Sequence, residues 1–224
     1  MTSIYERALG NDFARLHPRI QERFALSSAS GRAAIGRGTM ETVWRGPWWT
    51  VPFLCLGSWR NIMFPERGTA VTFKIENWAY RDSFGRETVT WQRTFETTRA
   101  RGFDAFMIYS ESRDLIVDYL GTHQHLAVDL DISVDERGGM RLRSADQRFY
   151  EGLIAFRFPL LFSGVAEVCE WFDDDSGRFR IEVSVTNRAF GPLFGYRGAF
   201  DVEWVDAQNG PPAEVLPVRE ERRE

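Results

Sequence analysis

The segment LAVDLDISV, residues 126–134, carries a large apolar side chain at every second position, and alanine, aspartate or serine lies between them. Such alternation is typical of a β-strand that buries one face, because successive side chains of a strand point to opposite sides. The same rhythm recurs in residues 71–76, 88–95, 178–185 and 200–204. The pattern therefore predicts half-buried strands of an antiparallel sheet.

Turn-forming residues separate these segments, for example at residues 82–85, 135–139 and 173–177, which are rich in Asp, Ser and Gly. Short connections join antiparallel neighbours, and no segment reads as a crossover helix. We predict roughly nine or ten strands in a mainly β fold. They are expected to close into an antiparallel barrel or to form a strongly curved, lipocalin-like cup.

The 224-residue chain is expected to contain one β domain with an extension at each end. Residues 1–28 predict an N-terminal helical segment packing on the barrel, with a capping box formed by Ser3 and Glu6. Residues 29–206 would form the antiparallel β domain. Residues 207–224 carry proline, glycine and many charges, which predicts a flexible tail.

Composition excludes several classes of function. The net charge of −4 gives no electrostatic match to nucleic acid. The two cysteines form no disulfide framework, and no stretch predicts a transmembrane segment or a signal peptide, so we expect a cytoplasmic protein. Aromatic residues make up 14% of the chain, which suits either a large β core or an apolar cavity.

Two stretches interrupt the strand pattern: residues 46–65, which are rich in tryptophan, proline and glycine, and the apolar residues 158–164. Each is expected to cap a barrel end, form a short helix or wall a pocket. Within the first, the Trp48–Trp59 segment fits a plug packed into the core better than a membrane-touching loop, since no basic cluster flanks it in the sequence. An exposed docking surface is the third alternative.

His123 and His125 are the first candidates for chemistry. On a strand, positions i and i+2 share a face, so both imidazoles would point the same way. This spacing suits two metal ligands or an acid–base pair. No third ligand is evident by spacing, so we expect no metal and no cofactor, and a solvent-facing polar edge is the favoured interpretation.

Arg93 interrupts an apolar strand face between Trp91 and Phe95. A guanidinium there must be paired or must face a cavity, because burying an unpaired charge is very costly. We favour a structural ion pair over an anchor for a ligand carboxylate or phosphate. Glu151 is a candidate general base, although an arginine partner is the favoured interpretation.

Four motifs, residues 77–87, 118–126, 147–152 and 191–198, resemble the bacterial family called domain of unknown function 4166. The resemblance extends from about Ser3 to Trp204. It assigns no activity and no catalytic residue. Because members of the family occur alone or joined to saccharopine-dehydrogenase-like modules, the resemblance implies an accessory role beside an oxidoreductase partner.

Three functions follow from these observations. The leading hypothesis is a binding module that holds an apolar or lipid-like small molecule inside the barrel. The second is an enzyme in which His123 or His125 works with Tyr119, Tyr150 or Glu151. The third is a domain that docks a protein through the Trp48–Trp59 segment. The candidate ligand-binding residues are Trp59, Trp91, Arg93, Tyr119, Arg148, Tyr150, Tyr196 and Arg197.

Overall fold

The alternating segments form strands in the computed structural model, which describes residues 2–157 and 164–224. The strands in these residues are β1 (Arg32–Arg45), β2 (Gly68–Arg81), β3 (Glu87–Glu96), β4 (Ala100–Ser110), β5 (Leu115–Leu120), β6 (Leu126–Val134), β7 (Met140–Glu151), β8 (Ile154–Arg157), β9 (Val165–Asp173), β10 (Arg178–Asn187) and β11 (Gly191–Asp206). The α-helices are α1 (Ile4–Leu9), α2 (Pro18–Phe24) and α3 (Val51–Ser58). Short 3-10 helices occupy Gly10–Arg15, Trp48–Thr50 and Ala213–Val215.

Ten of the described strands close into a barrel. Hydrogen-bonded neighbours follow the order β6, β5, β4, β3, β2, β1, β11, β10, β9, β7, and β6 pairs with β7 to complete the ring. The pairings are antiparallel, and β8 pairs with the C-terminal part of β7 outside the ring. Closure leaves no long exposed strand edge on the ring. The antiparallel barrel predicted from the sequence is confirmed.

Aromatic rings fill much of the barrel interior. The rings of Phe73, Phe95, Phe194, Tyr196 and Phe200 are almost fully buried. Their paired centroids lie between 4.9 and 6.1 Å apart, the range of favourable edge and tilted contacts. Much of the aromatic content therefore packs as core rather than surrounding an open space.

The N-terminal segment closes one end of the barrel, which we call the helical end. Ser3 caps α1 as predicted: its Oγ accepts from the N–H of Glu6 at 3.1 Å, and its own N–H donates to Glu6 Oε2 at 2.6 Å. Tyr5 and Phe24 are buried in the barrel core. The N–H of His17 donates to the carbonyl of Gly138, between β6 and β7, at 2.9 Å.

The opposite end is the cap end, because α3 covers it between β1 and β2. The connections after β3, β5, β7 and β10 also lie there, since strand direction alternates around the ring. The N–H of Thr122 donates to the carbonyl of Arg60 at 2.9 Å, which ties the chain after α3 to the β5–β6 turn. Leu54 of α3 points into the core.

The C-terminal segment, residues 207–224, lies against the outside of the barrel, whereas its composition predicts a flexible tail. Val218 N–H donates to Thr122 O at 2.7 Å. The hydroxyls of Tyr119 and Tyr150 donate to the carbonyls of Arg223 and Glu224 at 2.9 and 3.0 Å. Most of these contacts use backbone groups of the tail, which composition does not reveal.

The apolar stretch at residues 158–164 falls largely outside the described residues, which omit 158–163. Its last residue, Gly164, lies beside Val185 and Leu193. Among the described residues, no helix has both the length and the apolar character needed to cross a bilayer.

Candidate binding cavity

A cavity inside the barrel, towards the cap end, is the candidate site. Ile62 and Met63, which follow α3, form part of its wall together with residues of β3–β7, β9 and β10. The space open to the centre of a water-sized molecule is about 90 Å³, several times the roughly 10–15 Å³ that one water needs. Including the opening towards solvent, the atom-free space is about 760 Å³.

The wall of this cavity is mainly apolar. It consists of the following side chains and one glycine: Ile62, Met63, Trp91, Phe103, Met107, Leu120, Leu126, Val128, Leu130, Leu142, Gly164, Ala166, Val168, Val183 and Val185. Apolar walls with few polar groups are typical of small-molecule sites.

Four polar side chains interrupt the wall, and two of them serve the backbone of the barrel. Ser144 Oγ accepts from the N–H of Ala166 at 2.7 Å, and Gln147 Nε2 donates to the carbonyl of Gly164 at 2.6 Å. Both bonds form where β7 gains an extra residue against β6 and departs from regular pairing. Arg93 and Asp118 are the remaining two polar side chains.

Arg93 lies on β3 with its guanidinium inside the barrel. Its Nε donates to the carbonyl of Phe103 at 3.0 Å, and Nη1 donates to the hydroxyl of Tyr196 at 3.2 Å. The guanidinium carbon lies 3.8 Å from the centroid of the Phe103 ring, a cation–π contact. Instead of the expected ion pair, Arg93 has neutral partners, and no carboxylate of the described residues forms a salt bridge with it.

Asp118 on β5 is buried and faces the same cavity, between the inward side chains of Ile116 and Leu120. Its Oδ1 has no hydrogen-bond partner among the described residues. Burial raises the pKa of Asp118 to about 7, and the nearby Arg93 and the N–H of Phe106 offset part of that rise. The carboxyl can therefore exist in either protonation state near neutral pH.

Sequence reasoning missed Asp118 as a site residue. The signal was present, because a carboxylate interrupts the apolar face that Ile116 and Leu120 define. A buried charge at this position, as at Arg93, requires a partner or a cavity.

Trp91 connects the cavity wall to the helical segment. Its indole Nε1 donates to the hydroxyl of Tyr5 at 2.9 Å. The Tyr5 hydroxyl in turn donates to Met107 Sδ at 3.2 Å. A second link buries Arg23 of α2 against Glu170 of β9 in an ion pair. These contacts hold the helices against the barrel and fix the orientation of the Trp91 ring.

The other sequence candidates lie elsewhere. Tyr196 is buried in the core and accepts from Arg93. Tyr119 and Tyr150 face outwards beneath the C-terminal segment. Arg148 forms a bidentate salt bridge with Asp129 on the outside of the barrel: Nη1 donates to Oδ2 at 2.9 Å and Nη2 donates to Oδ1 at 2.5 Å.

Arg197 and Trp59 also lie away from the cavity wall. Arg197 is on the outer face of β11, with its Nε 3.9 Å from Glu41 Oε2. Trp59 follows α3 and is 84% exposed. Period-two reasoning does not settle which side of a closed barrel each polar face occupies, and these outward positions follow from the register of β7 and β11.

His123 and His125 lie in the turn between β5 and β6, not on a strand as their spacing predicts. Gly121 and Gln124 adopt positive φ of 77° and 52°, which turns the chain between Leu120 and Leu126. The two rings nevertheless stack, with centroids 5.5 Å apart. Neither histidine lines the cavity.

These histidines contact charged groups at the barrel surface. His125 Nδ1 lies 2.7 Å from Glu151 Oε2, and Arg60 Nη1 lies 2.8 Å from His123 Nε2. Partial desolvation, Arg60 and the neighbouring His125 lower the pKa of His123. In the described part of the chain, no cluster of three His, Cys, Asp or Glu side chains could hold a metal ion.

The fold defines a closed antiparallel β-barrel with an internal, mainly apolar cavity. Residues 16–200 match the family model described as domain of unknown function (DUF4166), and the chain belongs to this family. It is similar to the uncharacterized protein YndH of Bacillus subtilis (strain 168). The two are 33% identical over 204 residues, which cover 91% of this chain and 98% of that protein.

Proposed function

We propose that the protein binds a lipid-like small molecule in the barrel cavity, with the polar end of that molecule at Arg93 and Asp118. The observation that carries this proposal is an apolar cavity whose wall holds two buried ionisable groups, Arg93 and Asp118, that form no salt bridge with each other. A ligand would supply the missing partner for Asp118 Oδ1. The barrel would then act as a cup of the lipocalin kind.

The two polar groups restrict the chemistry of the ligand. Arg93 can only donate, so it selects an oxygen acceptor. Asp118 has a pKa of about 7 and can accept from a hydroxyl or, when protonated, donate to an oxygen. An apolar chain that ends in a carboxyl or hydroxyl group satisfies both. A ligand larger than the enclosed space would extend through the opening of the cavity towards solvent.

The relation to an oxidoreductase stays a prediction from the family resemblance. If the protein acts beside such an enzyme, the bound molecule would be a substrate or product that the barrel shields from water. A cytoplasmic location also stays a prediction.

Native mass spectrometry of the full chain purified from cells tests the proposal directly. We expect an added mass that organic extraction releases as an apolar compound with one oxygen-bearing end. The stripped protein should then bind a fluorescent long-chain fatty acid. A clean mass for the unliganded chain, together with no binding of the fatty acid, would overturn the proposal.

A second candidate function is acid–base chemistry at the surface, which the 2.7 Å contact between His125 and Glu151 favours. His123 stacks on His125 and would join this site. The hydroxyls of Tyr119 and Tyr150 already donate to the C-terminal segment, so the histidines and Glu151 would act without them. Loss of turnover in His125→Ala, with fatty-acid binding unchanged, would distinguish this function from cavity binding.

A further inference from the structure

The cap end carries an exposed apolar surface formed by Trp48, Trp49, Phe53, Leu56 and Trp59, which we call the apolar cap. These side chains expose between 48% and 84% of their area. Helix α3, which runs through the apolar cap, has no charged residue and buries a single side chain, Leu54. An uncharged helix with so much apolar area in water indicates a surface that another apolar phase covers.

A second exposed apolar group lies at the same end of the barrel. Leu153 and Ile154, at the turn from β7 into β8, are exposed by 103% and 58%. The end of β7 pairs with the start of β6, next to the β5–β6 turn, and that turn bonds to the chain after α3 through Thr122 and Arg60. The apolar cap and this hairpin tip therefore occupy one end of the molecule.

Exposed arginines come to this end from three different connections. Arg60 and Arg67 follow α3, Arg99 lies between β3 and β4, and Arg188 lies between β10 and β11. None of these four forms a salt bridge with a carboxylate of the described residues. No basic cluster is visible beside the tryptophans in the sequence, because these arginines come from separate connections that only the fold brings to one end of the barrel.

Acidic groups at the cap end are largely neutralised. Glu66 pairs with Arg101, and Glu151 contacts both His125 and Arg219. At the cap end, Glu96 at the end of β3 is an exposed carboxylate that forms no salt bridge with a described residue. The cap end is therefore basic in a protein whose net charge is −4.

We propose that the cap end docks on an anionic lipid bilayer, with α3 in the interfacial region. Tryptophans flank the helix on both sides, and indole rings prefer the boundary between water and acyl chains. The arginines that form no salt bridge would contact anionic head groups. Ile62 and Met63 join the apolar cap to the cavity wall, so the cavity would open towards the membrane.

This arrangement deepens the proposed function, because a lipid-like ligand could pass between the bilayer and the cavity without crossing water. Docking itself rests on the apolar cap and the arginines alone. Docking and ligand binding can therefore fail separately. Vesicle flotation measures docking, and fatty-acid binding measures occupation of the cavity.

Vesicle flotation of the full chain tests the docking. We expect the protein to float with vesicles of phosphatidylcholine mixed with phosphatidylglycerol, and not with phosphatidylcholine alone. Trp59→Glu and Phe53→Glu should abolish flotation, while Arg99→Glu and Arg188→Glu should each weaken binding by at least about fivefold. Thermal melts by circular dichroism would show that each variant remains folded.

Matched controls lie at the helical end or on the barrel wall. Phe84→Glu changes an exposed aromatic residue in the β2–β3 turn, and Arg141→Glu reverses an exposed charge on β7. Both should float like the wild type. Fatty-acid binding in the absence of vesicles should be unchanged in every variant, which separates docking from ligand binding.

Three results would overturn the docking proposal. The first is a failure of the wild type to float, and the second is flotation that the Trp59 and Phe53 variants retain. The third is light scattering that shows a dimer which Trp59→Glu dissociates, without any vesicle binding, because the apolar cap would then be a contact between two copies of the chain.

Discussion

Arg93 and Asp118 project from β3 and β5 into the same cavity, and in the described structure no ion pair joins them. Each is almost fully buried. Arg93 holds neutral partners, whereas Asp118 leaves an oxygen without a partner. This arrangement is costly for the unliganded barrel, and a ligand that contacts both groups would offset the cost.

Replacement of Asp118 by asparagine should change how stability depends on pH. The pKa of this carboxyl is about 7 in the folded protein, above its ordinary value of 3.8. The folded state therefore retains a proton that the unfolded state loses, and stability falls as pH rises from about 4 to about 7. Asp118→Asn should remove this fall and melt at a higher temperature than the wild type at pH 8.

Thermal melts between pH 4 and pH 8 would measure the difference. Arg93 and Tyr5 are the charged and titratable groups that act on this carboxyl, and both remain in the variant. Asp201→Asn, at an exposed position on β11, is the control and should follow the wild type. Parallel curves for Asp118→Asn and the wild type would contradict the buried, protonated state.

A larger side chain at Ala166 should block the cavity. The small side chain of Ala166 lines the wall on β9, and a phenylalanine there would occupy space that we assign to ligand. We expect Ala166→Phe to weaken binding of the fluorescent fatty acid by at least about tenfold. The free energy of unfolding should fall by no more than about 3 kcal/mol. Titration and urea unfolding measure the two effects.

The matched control places the same ring outside the barrel. Glu182→Phe on the outer face of β10 should leave fatty-acid binding unchanged. If Ala166→Phe binds the fatty acid as tightly as the wild type, the ligand does not occupy this cavity.

The Tyr5 hydroxyl should be important for the stability of the helical end. Tyr5→Phe removes the acceptor of the Trp91 indole N–H and the donor to Met107. A buried donor without a partner costs about 1–3 kcal/mol, so the free energy of unfolding in urea should fall by that amount. Tyr109→Phe, which removes an exposed contact to Asp114, should have little effect. Equal losses of unfolding free energy in both variants would show that the buried Tyr5–Trp91 hydrogen bond contributes no more to stability than an exposed one.

The sequence predicts the strands because their signal is local, as the alternation in residues 126–134 illustrates. It also predicts the capping box at Ser3, whose partner Glu6 is three residues away. Which face points inwards depends on register around the closed ring. Tyr150 and Arg148 therefore lie outside although they resemble binding residues, and Asp118 inside was overlooked.

Glu221 should anchor the C-terminal segment in a pH-dependent way. Burial opposes its charge, but hydrogen bonds from Arg223 and Arg219 lower its pKa to about 2, below the ordinary 4.5. A depressed carboxyl pKa contributes stability above about pH 4.5 that is lost as pH falls towards 2. Glu221→Gln should therefore release residues 217–224 already at pH 7, with faster hydrogen exchange by mass spectrometry.

Glu214→Gln is the control, because the side chain of Glu214 is exposed, and this variant should exchange like the wild type. If the segment stays protected in Glu221→Gln, the backbone bonds to Tyr119 and Tyr150 suffice to hold it, because they remain when the carboxylate is gone.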